Sequence, residues 1–173
     1  GGGSSDAAAM IKLLNETFDL GLSIADMERR VARLGADCAF FVQGKPAFAT
    51  GIGDILTPIE LSLSGMHLVL VKPDVFVSTK EAYASVTPAP SKVSLKDIIT
   101  KPVKMWKGQM VNDFEKSVFP NHPVVSGICE QLYMLGATYA AMSGSGSTVY
   151  GLFRHEPILG DVFEDHFQWQ CKF

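Results

Sequence analysis

Apolar and polar positions change period twice along the chain. Ala7, Ala8, Ala9, Met10, Ile11, Leu13 and Leu14 place apolar side chains nearly all round a helix, a pattern that predicts burial between layers. Ahead of it, Gly1, Gly2, Gly3, Ser4, Ser5 and Asp6 read as a loop running straight into that helix. A second helix is announced by Ser23 with Asp26 three residues later, an Asp variant of the capping box. Its stripe is Ile24, Met27, Val31 and Leu34, and Gly35 supplies the stop.

After Gly35 the period shortens. Residues 40–42, 47–50 and 67–71 read as short strands, punctuated by Gly44, Pro46, Gly51, Gly53 and Pro58. Ser78 or Thr79 opens a short helix through Tyr83, and residues 88–91 form a loop. Helices are predicted over 94–99, around 105–119, and over 124–135 with Gly136 as end cap. Two strands, 138–142 and 148–153, flank a tight link at residues 143–147, and a last helix near 158–167 leads to Trp169, Cys171 and Phe173. This order of strand, helices, two strands, helix and terminal strand predicts an α+β sandwich of the split β-α-β kind.

Composition narrows the class. Of the 173 residues 47% are hydrophobic and 19% charged, which suits a chain that buries a core. The formal net charge of −3 argues against a coat for nucleic acid or for an anionic membrane. No apolar run approaches the ~18 residues of a membrane span. Cys38, Cys129 and Cys171 form no C-x-x-C pair, so neither a disulfide framework nor a structural zinc site is expected, and a reducing cytoplasm is the expected setting. Residues 1–9 lack the pattern of a signal peptide, and Gly1 in place of an initiator Met reads as processing or as a fragment.

Three segments could carry chemistry. The glycines and serines of residues 1–5 could cradle a phosphate, because bare backbone N–H groups and the partial positive charge of a helix start both favour an anion; the other reading is a flexible terminus. The Gly-Lys-Ser/Thr ending of a Walker A loop is absent. Asp37, between the Gly35 stop and an apolar run, could be a partly desolvated base or the orienting partner of a hydroxyl, or could merely turn the chain. The Ser143-Gly144-Ser145-Gly146-Ser147 link could face a second anion or simply join two strands. His67, His122, His155 and His166 show no metal-ligand spacing. Asn112, Asp113, Phe114 and Glu115 read as one polar helix face, and Tyr83 as packing.

In combination these segments resemble the 4-diphosphocytidyl-2-C-methyl-D-erythritol kinases of the GHMP superfamily. G-G-G-S-S-D-A-A-A looks like the tail of the glycine-rich ATP loop, L-G-A-D like the catalytic Asp segment, and A-F-A-T-G-I-G-D-I-L like the A-x-G-x-G-[DE] element. N-D-F-E resembles the family's asparagine-acid helix start and S-G-S-G-S its third motif. The resemblance implies transfer of the ATP γ-phosphoryl group, with Mg²⁺, to the 2-hydroxyl of the cytidine-linked methylerythritol in the non-mevalonate route to isoprenoids. It implies that Asp37 polarises or deprotonates that hydroxyl. Gly1, Gly2, Gly3, Ser4 and Ser5 would then wrap the phosphates, supported by Gly144, Ser145, Gly146 and Ser147. Thr79 and Tyr83 would line the cytidine pocket, Tyr83 offering a ring face to the base. The implied fold is the GHMP kinase fold: residues 1–62 as the helical and partial-strand remainder of a ribosomal-S5-like ATP-binding domain, residues 63–173 as a ferredoxin-like C-terminal domain.

The chain departs from the family at its beginning. Members carry a segment of roughly a hundred residues, domain-sized, before the glycine loop, which holds the lysine that pairs with the catalytic Asp; Lys12, inside the first helix, is a poor substitute. A C-terminal fragment, inactive on its own, is therefore expected. Asp6, Asp37 and Asp113 are all left as magnesium neighbours, and the oligomeric state is left open, a homodimer included. Two rivals stand: a non-catalytic nucleotide-binding module of the same fold, and a related kinase for a small alcohol such as homoserine.

Overall fold

A computed structural model describes residues 1–84, 86–87 and 93–173; the loop expected at 88–91 lies outside the described residues. The chain divides into two compact units, Gly1–Leu61 and Ser62–Phe173.

Three helices and a hairpin build the first unit: α1 (Gly2–Thr17), α2 (Ile24–Val31), α3 (Cys38–Gln43), and β1 (Ala47–Thr50) antiparallel to β2 (Ile55–Pro58). The capping box forms as the sequence indicates. The Asp26 N–H donates to Ser23 Oγ at 3.1 Å and the Ser23 N–H to the Asp26 carboxylate at 3.3 Å. Hydrogen bonds from the Ser23 side chain and backbone hold the Asp26 carboxyl below its ordinary value. Met27 and Val31 enter a core with Ala8, Cys38 and Val42, whereas Ile24, at the first position of α2, is exposed, and so is Leu34, which lies beyond the helix end at Val31.

Three expectations for this unit are corrected. The opening glycines are not a loop: α1 starts at Gly2, with the Ser5 N–H bonded to the Gly1 carbonyl and the Ser5 hydroxyl to that of Gly2. Nor is α1 buried all round, since only Ala8 is fully enclosed and Met10, Leu13 and Leu14 are 40–56% exposed. Residues 40–42 are helical. A short apolar run does not distinguish strand from helix by itself; here Cys38, Ala39 and Val42 are buried at helical spacing, and Gly44, at φ 61°, closes α3 by bonding to the Phe40 carbonyl.

In the second unit four strands stand in the order β4-β5-β3-β6, every neighbouring pair antiparallel: β3 (His67–Lys72), β4 (Tyr139–Met142), β5 (Val149–Phe153) and β6 (Phe167–Lys172). β3 and β4 therefore run parallel with β5 between them, the split β-α-β arrangement. Between them in sequence come α4 (Thr79–Ala84), α5 (Leu95–Ile99), α6 (Glu115–Asn121) and α7 (Pro123–Met134). Val125, Ile128 and Leu132 of α7 bury against Val69, Val71 and Val149 of the sheet, each such side chain contributing about 1.5–3 kcal/mol. On another part of the sheet Trp106 packs edge-on to Tyr139, ring centroids 5.7 Å apart, its Nε1–H donating to the Lys101 carbonyl.

Of two further expected helices, one is shortened and displaced and the other is absent. Residues 105–119 contain the end of a single 3₁₀ turn, Val103–Met105, and only the first part of α6, with Gly108 at φ 74° between them. Residues 158–166 form no helix, and 160–166 are turns and a bend: Gly160 is left-handed (φ 51°) and Phe163 alone is fully buried, one anchor where a helix needs a stripe. Among the described residues no helix is long and apolar enough to cross a membrane.

Candidate active site

Two clusters of the expected residues emerge, one in each unit. In the first unit α1 begins at Gly2, so the N–H groups of Gly2, Gly3 and Ser4 lack intrahelical partners. Side chains would meet nothing within 4 Å at Gly2 or Gly3, so this turn presents bare backbone. Gly35 lies against it: a Cβ there would stand 3.9 Å from Ser4 Oγ and 3.5 Å from Cys38 Sγ. Two residues on, Asp37 occupies the N-cap position of α3, and its side chain makes no cap hydrogen bond.

The Asp37 carboxylate is exposed, not partly desolvated as expected. Behind it stands Gly53, at φ 98°, where a Cβ would come within 3.5 Å of Asp37 Oδ1. Gly51 (φ 68°) turns the same β1–β2 connection so tightly that a Cβ would strike Asp54 Oδ1 at 2.7 Å, and that carboxylate accepts from the Ile52 N–H. The T-G-I-G-D stretch thus places a side-chain-free backbone beside Asp37. Lys12 donates to the Phe41 carbonyl at 2.9 Å, and among the described residues no cation pairs with Asp37.

In the second unit the 143–147 link turns on two left-handed glycines, Gly144 (φ 56°) and Gly146 (φ 87°). Ser145 is half-buried, and Ser147 donates to the Val75 carbonyl at 2.7 Å. Sequence reasoning missed what holds it. Asn112 is not on a helix face: it precedes α6, and its Nδ2 donates to the carbonyls of Met142 (2.9 Å) and Gly144 (2.7 Å) while its Oδ1 accepts from the Phe114 N–H. Glu115 accepts from the Met142 N–H at 2.8 Å, and burial holds its carboxyl above the ordinary range, that hydrogen bond pulling the other way. The N-x-x-E spacing was in the sequence, but its partners lie some thirty residues away.

Thr79 and Tyr83 are four residues apart on α4 and share one face. Tyr83 is 61% exposed, and its ring meets Phe114 edge-on with centroids 4.8 Å apart. The helix is tied down by the buried Ser117 hydroxyl on the Ala82 carbonyl (2.6 Å) and by His122 Nε2 against Glu81 (2.7 Å). Asp113 pairs with Lys116 on the surface. Among the described residues no group of three or more His, Cys, Asp or Glu is arranged to hold a metal ion.

Bare helix start, exposed carboxylate and strand order fit a known class. The chain belongs to the GHMP kinases: residues 1–45 match the model of their N-terminal domain, and residues 97–164 the model described as GHMP kinases C terminal. It is 60% identical over 173 residues to a 4-diphosphocytidyl-2-C-methyl-D-erythritol kinase of Bacteroides fragilis, covering 99% of this chain and 63% of that protein. It is 52% identical to the protein of the same name from Parabacteroides distasonis, over 98% of this chain and 64% of that one. A crystal structure of 4-(cytidine 5'-diphospho)-2C-methyl-D-erythritol kinase superposes with a TM-score of 0.71 at 30% identity, over 88% of this chain and 56% of that one. The chain thus spans somewhat under two thirds of the length of these relatives.

Proposed function

We propose that this chain supplies the nucleotide-binding helix start and the catalytic carboxylate of an ATP-dependent kinase that phosphorylates the 2-hydroxyl of 4-diphosphocytidyl-2-C-methyl-D-erythritol in non-mevalonate isoprenoid synthesis. One observation carries the reading: the bare first turn of α1 and the exposed Asp37 are gathered around Gly35 and Gly53 in one compact unit.

The chemistry asks little covalent work of the protein. Phosphoryl transfer depends mainly on positioning and on stabilising charge on the moving group. The N–H groups of Gly2, Gly3 and Ser4 suit a phosphate, being unpaired and at the positive end of a sixteen-residue helix. Asp37 is free to accept a hydrogen bond from the attacking hydroxyl, orient it and take its proton as the bond to phosphorus forms. A magnesium ion, when bound, would neutralise phosphate charge. Asp6 and Asp37 are the carboxylates of this unit that would stand as its neighbours. Thr79 and Tyr83 would receive the cytidine, the exposed Tyr83 ring stacking on the base; Gly144 and Ser145 would offer backbone donors to the nucleotide, and Gly146, whose N–H is bonded to the Ser143 carbonyl, would shape the link that presents them. The protein would work in the cytoplasm, as a monomer or a homodimer.

The test is an acceptor comparison. Whole protein containing this chain is incubated with ATP and, separately, the cytidine compound, homoserine and mevalonate. Phosphorylation of the first alone is expected; transfer to homoserine, or nucleotide binding without any transfer, would overturn the proposal.

A further inference from the structure

We infer that Asn112 and Glu115 are positioning residues for the glycine link at 143–147, acting as a side-chain substitute for a missing neighbour strand. β4 is an edge of the sheet, with β5 on one side only. An edge strand leaves every second residue with a backbone N–H and C=O facing outward. Met142, the last residue of β4, has both filled by side chains: its N–H by Glu115 Oε1 at 2.8 Å and its carbonyl by Asn112 Nδ2 at 2.9 Å. The same amide then reaches past the strand end to the Gly144 carbonyl at 2.7 Å.

That last bond bears on the course of the link. Gly144 and Gly146 both sit at positive φ, where glycine has little preference of its own and many competing conformations. The link folds back until a Cβ on Gly146 would lie 2.8 Å from Met142 Sδ. Asn112 spends both donors of its amide on the two sides of this reversal, and its Oδ1 is fixed by the Phe114 N–H, so the amide cannot rotate without losing three hydrogen bonds. Phe114 also packs against Tyr83, so one short segment holds both the glycine link and the ring proposed to stack on the base. The contribution to ligand binding rests on the proposed function; the clamp itself does not.

Hydrogen–deuterium exchange and ADP titration, on whole protein, test this together. Asn112→Asp keeps the shape but turns a carboxylate toward two carbonyls; Asn112→Ser is a milder second variant should the first fail to fold. Losing bonds of this kind is expected to speed exchange across 143–148 and to weaken ADP binding by about tenfold each, α7 exchange staying near wild type. Glu115→Gln, which keeps an acceptor for the Met142 N–H, is expected to restore what Glu115→Ala loses. Unchanged exchange in the link, faster exchange spread equally over α7, or unchanged ADP affinity in a loosened link would each overturn the inference. Wild-type protein that binds no ADP would remove the nucleotide reading instead, leaving the exchange arm to decide the clamp.

Discussion

Tyr83 and Asp37 mark what single residues do in this account. Tyr83 is an aromatic ring left largely in solvent on a helix anchored by Ser117 and His122. Tyr83→Ala is expected to weaken binding of the cytidine substrate by ~1–3 kcal/mol through lost stacking, read as a raised KM; unchanged affinity would remove it from the pocket. Asp37 was legible in the sequence because L-G-A-D sets a lone carboxylate between a helix stop and an apolar run. Its exposure was not, since that depends on Gly53, brought near by the β1–β2 turn. Asn112 was the least legible of all: its three hydrogen bonds go to Phe114 and, some thirty residues away, to Met142 and Gly144.

Elements were legible where the signals are local. Ser23 and Asp26 satisfy each other's backbone N–H groups, and α2 starts where they say. Ser23→Ala is expected to lower stability by about 1 kcal/mol, since an unpaired helix start loses its acceptor; a shift in the urea midpoint measures it, and no shift would mean that α2 is held by Met27 and Val31 alone. Elements went wrong where tertiary burial overrides the local pattern. Phe40, Phe41 and Val42 carry strand-forming side chains, yet Cys38, Ala39 and Val42 are buried together only if the run is coiled. The expected helix over 105–119 failed at Gly108, and the one over 158–167 at Gly160, both left-handed.

At the scale of the molecule, the strand order β4-β5-β3-β6 was legible as a class because the sequence order of elements restricts the connections. The exposure of Met10, Leu13 and Leu14 on α1, and of Phe18 just after it, was not, because apolar side chains all round a helix predict burial. Stability carries a pH signature from Glu115, whose carboxyl is raised first by burial and which faces Cys129, Tyr133, Tyr139 and Tyr150. The folded state binds this proton more tightly than the unfolded state. Glu115 therefore has no pH-linked cost below its ordinary value, and stability falls as pH rises from there through the raised folded value. Glu115→Gln is expected to flatten that fall, measured by denaturant unfolding between about pH 4 and pH 8; parallel curves for the two proteins would refute it.

The central claim is that Asp37 is the carboxylate that activates the acceptor hydroxyl. Its most direct test is steady-state turnover of whole protein with ATP and 4-diphosphocytidyl-2-C-methyl-D-erythritol, wild type against Asp37→Asn, with ADP affinity measured alongside. Loss of a general base and orienting group is expected to lower kcat by about 10²–10⁴-fold with ADP affinity little changed. A variant that turns over at near the wild-type rate would contradict the account.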